Sequence, residues 1–280
     1  MTDASNRKLR LWARVGVAGV AGFTAALMSF AAHAQTTMGA GSNVDQGESR
    51  FHVAQAAQSG DDSEMVEASD PGTDDAAFLT LLGLVEGHLR AGIELYRQGA
   101  ADMAKTHMKH PGDELYMDLE PALAVRNLDG FARPLERLAV AVEGGEPVAA
   151  ADEAFQAVLQ DIGRTRTAAG GDLAARLQSV TSLVRTAAEE YEIAVKEGRV
   201  ADPHEYQDAW GFVQAAKAQM AGLGEADRQR MGPSFDEITA ELDGLDKAWP
   251  AVVPPDSVTT DAGLLYAAAD RIARVAQAVE

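Results

Sequence analysis

The stretch Glu189–Met220 reads EEYEIAVKEGRVADPHEYQDAWGFVQAAKAQM. It opens in the last turns of a helix, breaks at Gly198 and restarts at Asp202-Pro203-His204-Glu205. The restart supplies a capping side chain, a proline at the first helical position and an acid at the third, which resembles a capping box. Tyr206, Trp210, Val213 and Met220 then follow at helical spacing. Two helices joined by so short a turn must run antiparallel, so the stretch predicts a helical hairpin.

The same period continues on both sides. Upstream, Asp172 caps a helix with the stripe Leu173, Leu177, Val180, Val184, Ala187 and Tyr191. Before it, a helix from Pro147 to Ala168 carries Phe155, Val158, Leu159 and Ile162 and stops at Gly170-Gly171. Further back, Phe78, Leu81, Leu82, Val85, Leu89, Ile93 and Tyr96 mark a long first helix, begun by Asp74 and Asp75 and ended by Gly99. Ala100 to Lys109 continues as a short helix that Pro111 ends or bends. Helices over Asp113–Val125, with a kink at Pro121, and around Pro134–Glu143 follow. Downstream, Ser234 and Glu237 form a second capping box for a helix running to about Lys247. A proline-rich connection from Trp249 to Pro255 leads to a last helix with Leu265, Ala268, Ile272, Val275 and Val279 on one face. No stretch shows sustained alternation with β-branched residues. The expected fold is all-α, an antiparallel helical bundle arranged as one bundle or as two packed sub-bundles over residues 76–145 and 146–280.

The N-terminus carries a different signal. Arg7, Lys8, Arg10 and Arg14 precede the apolar run Val15–Ala32, which closes with Ala32-His33-Ala34 before Gln35. A basic segment, an apolar run and small residues at the cleavage positions predict a signal peptide over residues 1–34, cut after Ala34. The other reading is an uncleaved anchor, since about 18 apolar residues just span a bilayer. There is no twin arginine and no lipobox cysteine. Residues 35–75 are rich in Gly, Ser and Gln, with nine acids against the single Arg50. Such a segment buries too little apolar surface to offset its ordering entropy and is expected to be a disordered acidic linker, with His52 solvated in it. The mature chain is thus expected outside the cytoplasm, in the periplasm, without direct membrane insertion.

Charge narrows the partners. The chain carries −19 and residues 1–34 carry +3, so the mature part would hold near −22. Such a field repels nucleic acid and anionic lipid and suits a metal cation. With no cysteine in the chain, stability must come from an apolar core, and thiolate metal sites are excluded.

The Glu189–Met220 stretch, a helix ending in Glu-Tyr, a Gly turn, Asp-Pro and a helix opening with a second Glu-Tyr, resembles the extracytoplasmic helical module of some bacterial permeases of the high-affinity iron transporter family. Leu242, Leu245, Trp249 and Pro254-Pro255-Asp256-Ser257-Val258 resemble the end of that module, so the likeness covers roughly residues 172–280. It implies helical structure, a role in iron acquisition and, as a partner, a membrane iron permease or another envelope protein. The family's transmembrane Arg-Glu-Gly-Leu-Glu iron motif is missing and no spanning helices follow, which leaves an accessory role rather than transport.

Two groups of side chains could hold a transition metal ion, iron or else copper or zinc. In the hairpin, Glu190 and Glu205 flank the turn, with Glu192 and Asp208 near; carboxylates from facing helices are the usual way a bundle builds a hard-cation site. Glu205 equally serves as a capping acid. In the first half, His88 lies beside the apolar stripe, three residues after Val85, and should face neighbouring helices. Met103, His107, Met108, His110 and Glu114 place two imidazoles three apart, with thioethers and a carboxylate close by. Imidazole suits zinc, iron, nickel or copper, and Met favours copper(I). A lone HxxH is a weak motif, and His107 could instead pair with Asp102 or Asp113, with His110 ending the helix and the methionines filling the core. Glu86 and Glu94 are expected as exposed companions of Arg90 and Arg97.

The chain carries no nucleophile elbow, no HExxH and no phosphate-binding loop after a strand, so it is expected not to be an enzyme. Two functions remain: an exported metal-binding accessory for iron uptake or metal buffering, and a helical scaffold or interaction protein of the envelope whose His and Glu residues are structural.

Overall fold

A computed structural model describes residues 69–110 and 115–279, leaving aside the side chains of Lys109 and His110. The expected signal peptide, residues 35–68 of the expected linker, His52 and Glu114 lie outside the described residues. Within them the chain forms α1 (Asp75–Arg97), α2 (Ala101–His110), α3 (Tyr116–Val125), α4 (Ala132–Glu143), α5 (Val148–Ala169), α6 (Leu173–Ala194), α7 (Pro203–Ala221), α8 (Glu225–Met231), α9 (Pro233–Asp243) and α10 (Gly263–Gln277). The all-α bundle expected from the periodicity is what forms.

The centre of the bundle is α1. Asp74 caps it by accepting from the Ala77 backbone N–H at 2.9 Å. Its apolar content is high enough for a membrane span, yet that length is covered by protein on almost every side. It packs against α2, α5, α6 and α7, and glycines let it come close. A Cβ on Gly87 would lie 3.0 Å from the Gly211 and Phe212 backbone, and a Cβ on Gly211 would collide with the Gly87 carbonyl oxygen. There α1 and α7 cross backbone to backbone. At Gly92, an added Cβ would meet Met108 and, at 3.1 Å, the Cβ of His107, so α2 also lies hard against α1.

The hairpin predicted from Glu189–Met220 is present, with one change at its turn. α6 ends at Ala194, four residues before Gly198, and a two-residue antiparallel ladder pairs Val195 with Val200 and Lys196 with Arg199. Glu197 (φ 53°) and Gly198 (φ 74°) take left-handed backbone at its tip, as a tight hairpin turn requires. The Asp202 carboxylate then accepts from the N–H groups of His204 (3.0 Å) and Glu205 (3.4 Å) and starts α7 with Pro203 in the first turn.

The two Glu-Tyr pairs split their side chains between two tasks. Tyr191 and Tyr206 fasten the proline-rich connection, donating to the carbonyls of Ala248 (3.0 Å) and Ala251 (3.2 Å). Trp249 answers by donating its indole N–H to the Tyr206 carbonyl at 3.0 Å, with its ring edge-on to Tyr191 at 5.4 Å. Burying each ring contributes about 1.5–3 kcal/mol. The two glutamates are left for the other side of the hairpin.

Two local expectations change. The cap of α9 is Gly232, with Pro233 in the first turn and no side-chain capping bond, so Ser234 lies inside the helix and no second capping box forms. Glu86 is not an exposed partner of Arg90 but is only 2% exposed, with Arg90 and Arg166 each 2.6 Å from it. Glu94 and Arg97 do pair near the surface.

Candidate metal centre

The glycine contacts that pull α1, α2 and α7 together also decide which polar side chains meet. His88 follows Gly87 in α1, Asp208 precedes Gly211 by one helical turn in α7, and His107 lies opposite Gly92 in α2. The three converge in the core, His88 at 1% exposure and His107 and Asp208 at none. His88 Nδ1 is 2.6 Å and His107 Nδ1 2.9 Å from Asp208 Oδ1. The other oxygen, Oδ2, is 3.3 Å from Nδ1 of His204, one turn earlier in α7. Glu205 stands beside His204, its Oε2 at 3.9 Å from the ring, and the His107 and His204 rings stack at 4.6 Å and 10°. The His88 ring meets Phe212 edge-on at 5.0 Å, which closes the apolar side.

The proton positions follow from Gln207. Its amide nitrogen is 3.2 Å from the Met103 sulfur, which can only accept, so its Oε1 is the atom 2.8 Å from His107 Nε2. An amide oxygen cannot donate, so the His107 proton is on Nε2. Nδ1 therefore faces the Asp208 carboxylate either with a lone pair or with a second ring proton. Two acceptors 2.9 Å apart stay together only with positive charge between them, a second ring proton or a metal ion. Either can occupy the place: hydrogen bonds from His88 and His107 are among the interactions that keep Asp208 ionised, and a metal ion would take the place of those protons. An imidazole that gives one N–H to a carbonyl and aims the other nitrogen at a carboxylate is arranged as metal-bound histidines are.

The electrostatics put an ionised carboxylate at the hub and a protonated one behind it. Burial alone would favour the neutral acid at Asp208, but His88 and His107 outweigh it and hold the carboxyl far below the usual carboxylate range. At Glu190, burial and then the neighbouring Glu205 and Asp208 push the carboxyl up to about 9, so it keeps a proton shared with Glu205. Burial opposes the charge on Glu205 too, yet His204 and Glu190 outweigh it and lower its pKa. Burial likewise works against charging His204, whose pKa is nonetheless raised by Glu205 and Asp208.

Four of the sequence-predicted residues, His88, His107, Glu190 and Glu205, come together here. Two separate sets of three ligand atoms lie within 4.8 Å of one another, His88 with His107 and Asp208, and His204 with Glu205 and Asp208. Glu190 backs Glu205 rather than reaching the imidazoles. His110 is the last residue of α2, its side chain not described, and Glu114 lies outside the described residues, so neither is placed at the centre. Glu192 accepts from the Tyr266 hydroxyl at 2.8 Å on the surface instead. Met103 serves Gln207 and Met108 fills the core against Gly92, so no thioether is aimed at Asp208. Sequence reasoning did not place Asp208 at the hub or include His204. The signal for both was the His-x-x-x-Asp spacing, which puts them on one face of α7.

Fold and site together define a helical bundle with a buried centre of imidazoles and carboxylates. Residues 167–279 match the family model of the iron permease-associated 4-helix bundle domain, so the resemblance expected over the C-terminal half is borne out there. No curated protein and no solved structure matches the chain. The matched region contains α6 to α10 and thus Glu190, His204, Glu205 and Asp208, whereas His88 and His107 come from helices outside it.

Proposed function

We propose that the protein is an exported metal-binding accessory that works in iron uptake or metal buffering, with His88, His107 and Asp208 as its core ligands. The observation that carries this reading is the Gln207 amide, whose oxygen accepts from His107 Nε2 and so leaves Nδ1, 2.9 Å from a buried carboxylate, as the nitrogen a metal ion would take. A nitrogen and oxygen donor set without sulfur suits Fe(II), Mn(II) or Zn(II) and moves the preference away from copper(I). The iron permease-associated match over residues 167–279 supports a link to iron supply and an iron permease as partner. The basic and apolar N-terminus supports export, with the mature form beginning at Gln35, which intact mass of the secreted protein reads directly.

Titration of the full chain, exported and stripped of metal, with Fe(II) under anaerobic conditions and with Zn(II) tests the reading. The expected result is binding well tighter than micromolar that weakens at least ~100-fold when His88 and His107 are both replaced by Ala. Micromolar or weaker binding, unchanged by the double replacement, would overturn it and leave the histidines as a charge network of a structural bundle.

A further inference from the structure

We propose that this centre takes two cations rather than one, bridged by the two oxygens of Asp208. The proposal rests on the metal-binding reading above and specifies what that site holds. The two Asp208 oxygens face different imidazoles: Oδ1 is 2.6 Å from His88 and 2.9 Å from His107, and Oδ2 is 3.3 Å from His204. Each oxygen thus heads its own set of three donors, and each set fits within 4.8 Å. A tetrahedral ion with bonds of about 2.0–2.2 Å sets its donors roughly 3.4 Å apart, so the 2.6 and 2.9 Å contacts must open, and the wider donor pairs close, by roughly an ångström. A carboxylate shared in this way holds two ions at about 3.5–4 Å. The parallel stacking of His107 on His204 at 4.6 Å matches imidazoles carried by adjacent ions.

The buried acceptors point the same way. Asp208 Oδ1 and Oδ2 and Glu205 Oε2 are all buried without a hydrogen bond of ordinary geometry. One cation between His88 and His107 would satisfy Oδ1 but not Asp208 Oδ2 and Glu205 Oε2, which share the single Nδ1 of His204 at 3.3 and 3.9 Å. A second ion beside His204 answers both. With Glu190 behind Glu205, three carboxyl groups are present to balance the added charge.

The two positions differ in access. His88, His107 and Asp208 are closed off, while the His204 side chain is 27% exposed. The inner ion is held by three helices, and the outer ion exchanges with solvent or a partner.

Native mass spectrometry and low-temperature electron paramagnetic resonance of the full exported chain loaded with Mn(II) test this. The expected result is two Mn(II) per chain with the multiline signal of an exchange-coupled pair, falling to one ion and an isolated six-line spectrum in His204→Ala and in Glu205→Gln. One ion per wild-type chain, or two ions that are magnetically isolated, would overturn the bridged pair while leaving the metal-binding reading in place. No bound ion in the wild type, with Zn(II) and Fe(II) as well as Mn(II), would instead remove that reading itself. Because the wild-type spectrum alone decides between the first two outcomes, the test survives a variant that does not fold.

Discussion

Two of the buried acids, Glu86 and Asp208, are partnered in opposite ways. Glu86 of α1 is held by the guanidinium groups of Arg90 and Arg166, each 2.6 Å away. Those charges are permanent. Among the described residues, the charge partners of Asp208 in α7 are imidazoles, and its next neighbours are further carboxyls. Its counter-charge must be supplied, by protons or by a cation, and can be withdrawn again. A buried acid is therefore not in itself a sign of function. What separates a structural anchor from a site is whether the partner's charge is fixed or conditional.

The largest effect expected breaks both regions at once. Gly87 lies between Glu86 and His88 in sequence and meets Gly211 across the α1 and α7 crossing, where neither backbone can give way. Gly211→Ala should cost about 3 kcal/mol in chemical denaturation, at the upper end for overpacking, and should also lower metal affinity. Next comes a crossed pair of substitutions. Asp208→Asn should weaken metal binding at least ~100-fold. Glu86→Gln should leave binding within about threefold of wild type but cost roughly 2 kcal/mol of stability. That figure is reduced because Arg90 and Arg166 are each about a quarter exposed and can recover some hydration. If Glu86→Gln abolished metal binding as fully as Asp208→Asn, the contrast between the two acids would collapse.

The contrast also shows where reading the chain stops. The helices were legible because each shows an apolar stripe with a cap or a glycine at its end, as in Asp172 to Tyr191. His88 was legible from its place beside the stripe, and Glu190 and Glu205 from their place at the ends of the hairpin. The hub was not, because Asp208 becomes buried only when α1 covers α7, and that depends on Gly87 and Gly211 meeting from distant parts of the chain. Glu86 was misread for the same reason: Arg90 four residues on looks like a surface partner, while Arg166, eighty residues away, does not announce itself. HxxH drew attention to His110 by nearness in sequence. Among the described side chains, those that join His107 come from α1 and α7.

A smaller effect sharpens the role of Gln207. Replacing it with Leu keeps the bulk but removes the acceptor that holds the His107 proton on Nε2. The ring is then free to protonate Nδ1, the nitrogen that faces Asp208. Metal affinity should fall about 10-fold, the lower end for the loss of a group that orients a ligand. Gln207→Glu should restore it, since a carboxylate accepts the same proton. A Leu variant with wild-type affinity would mean that the tautomer is set by something other than this amide.

The smallest effect concerns Glu190, whose carboxyl is pushed up to about 9 by burial and by Glu205. A raised carboxyl pKa means that the folded state holds its proton after the unfolded chain has lost it, near 4.5. Its contribution to stability is therefore complete below about pH 4.5 and is lost progressively as the pH rises toward 9. In Glu190→Gln the amide cannot ionise in either state, so this slope disappears. Between pH 5 and pH 8 the metal-free variant should gain steadily on the wild type, measured as the midpoint of urea unfolding at each pH. A difference that stays flat across the range would mean that Glu190 ionises normally and that Glu205 is not sharing its proton. The prediction concerns metal-free protein, because a cation at His204 and Glu205 would displace that proton and reverse the sign of the neighbouring charge.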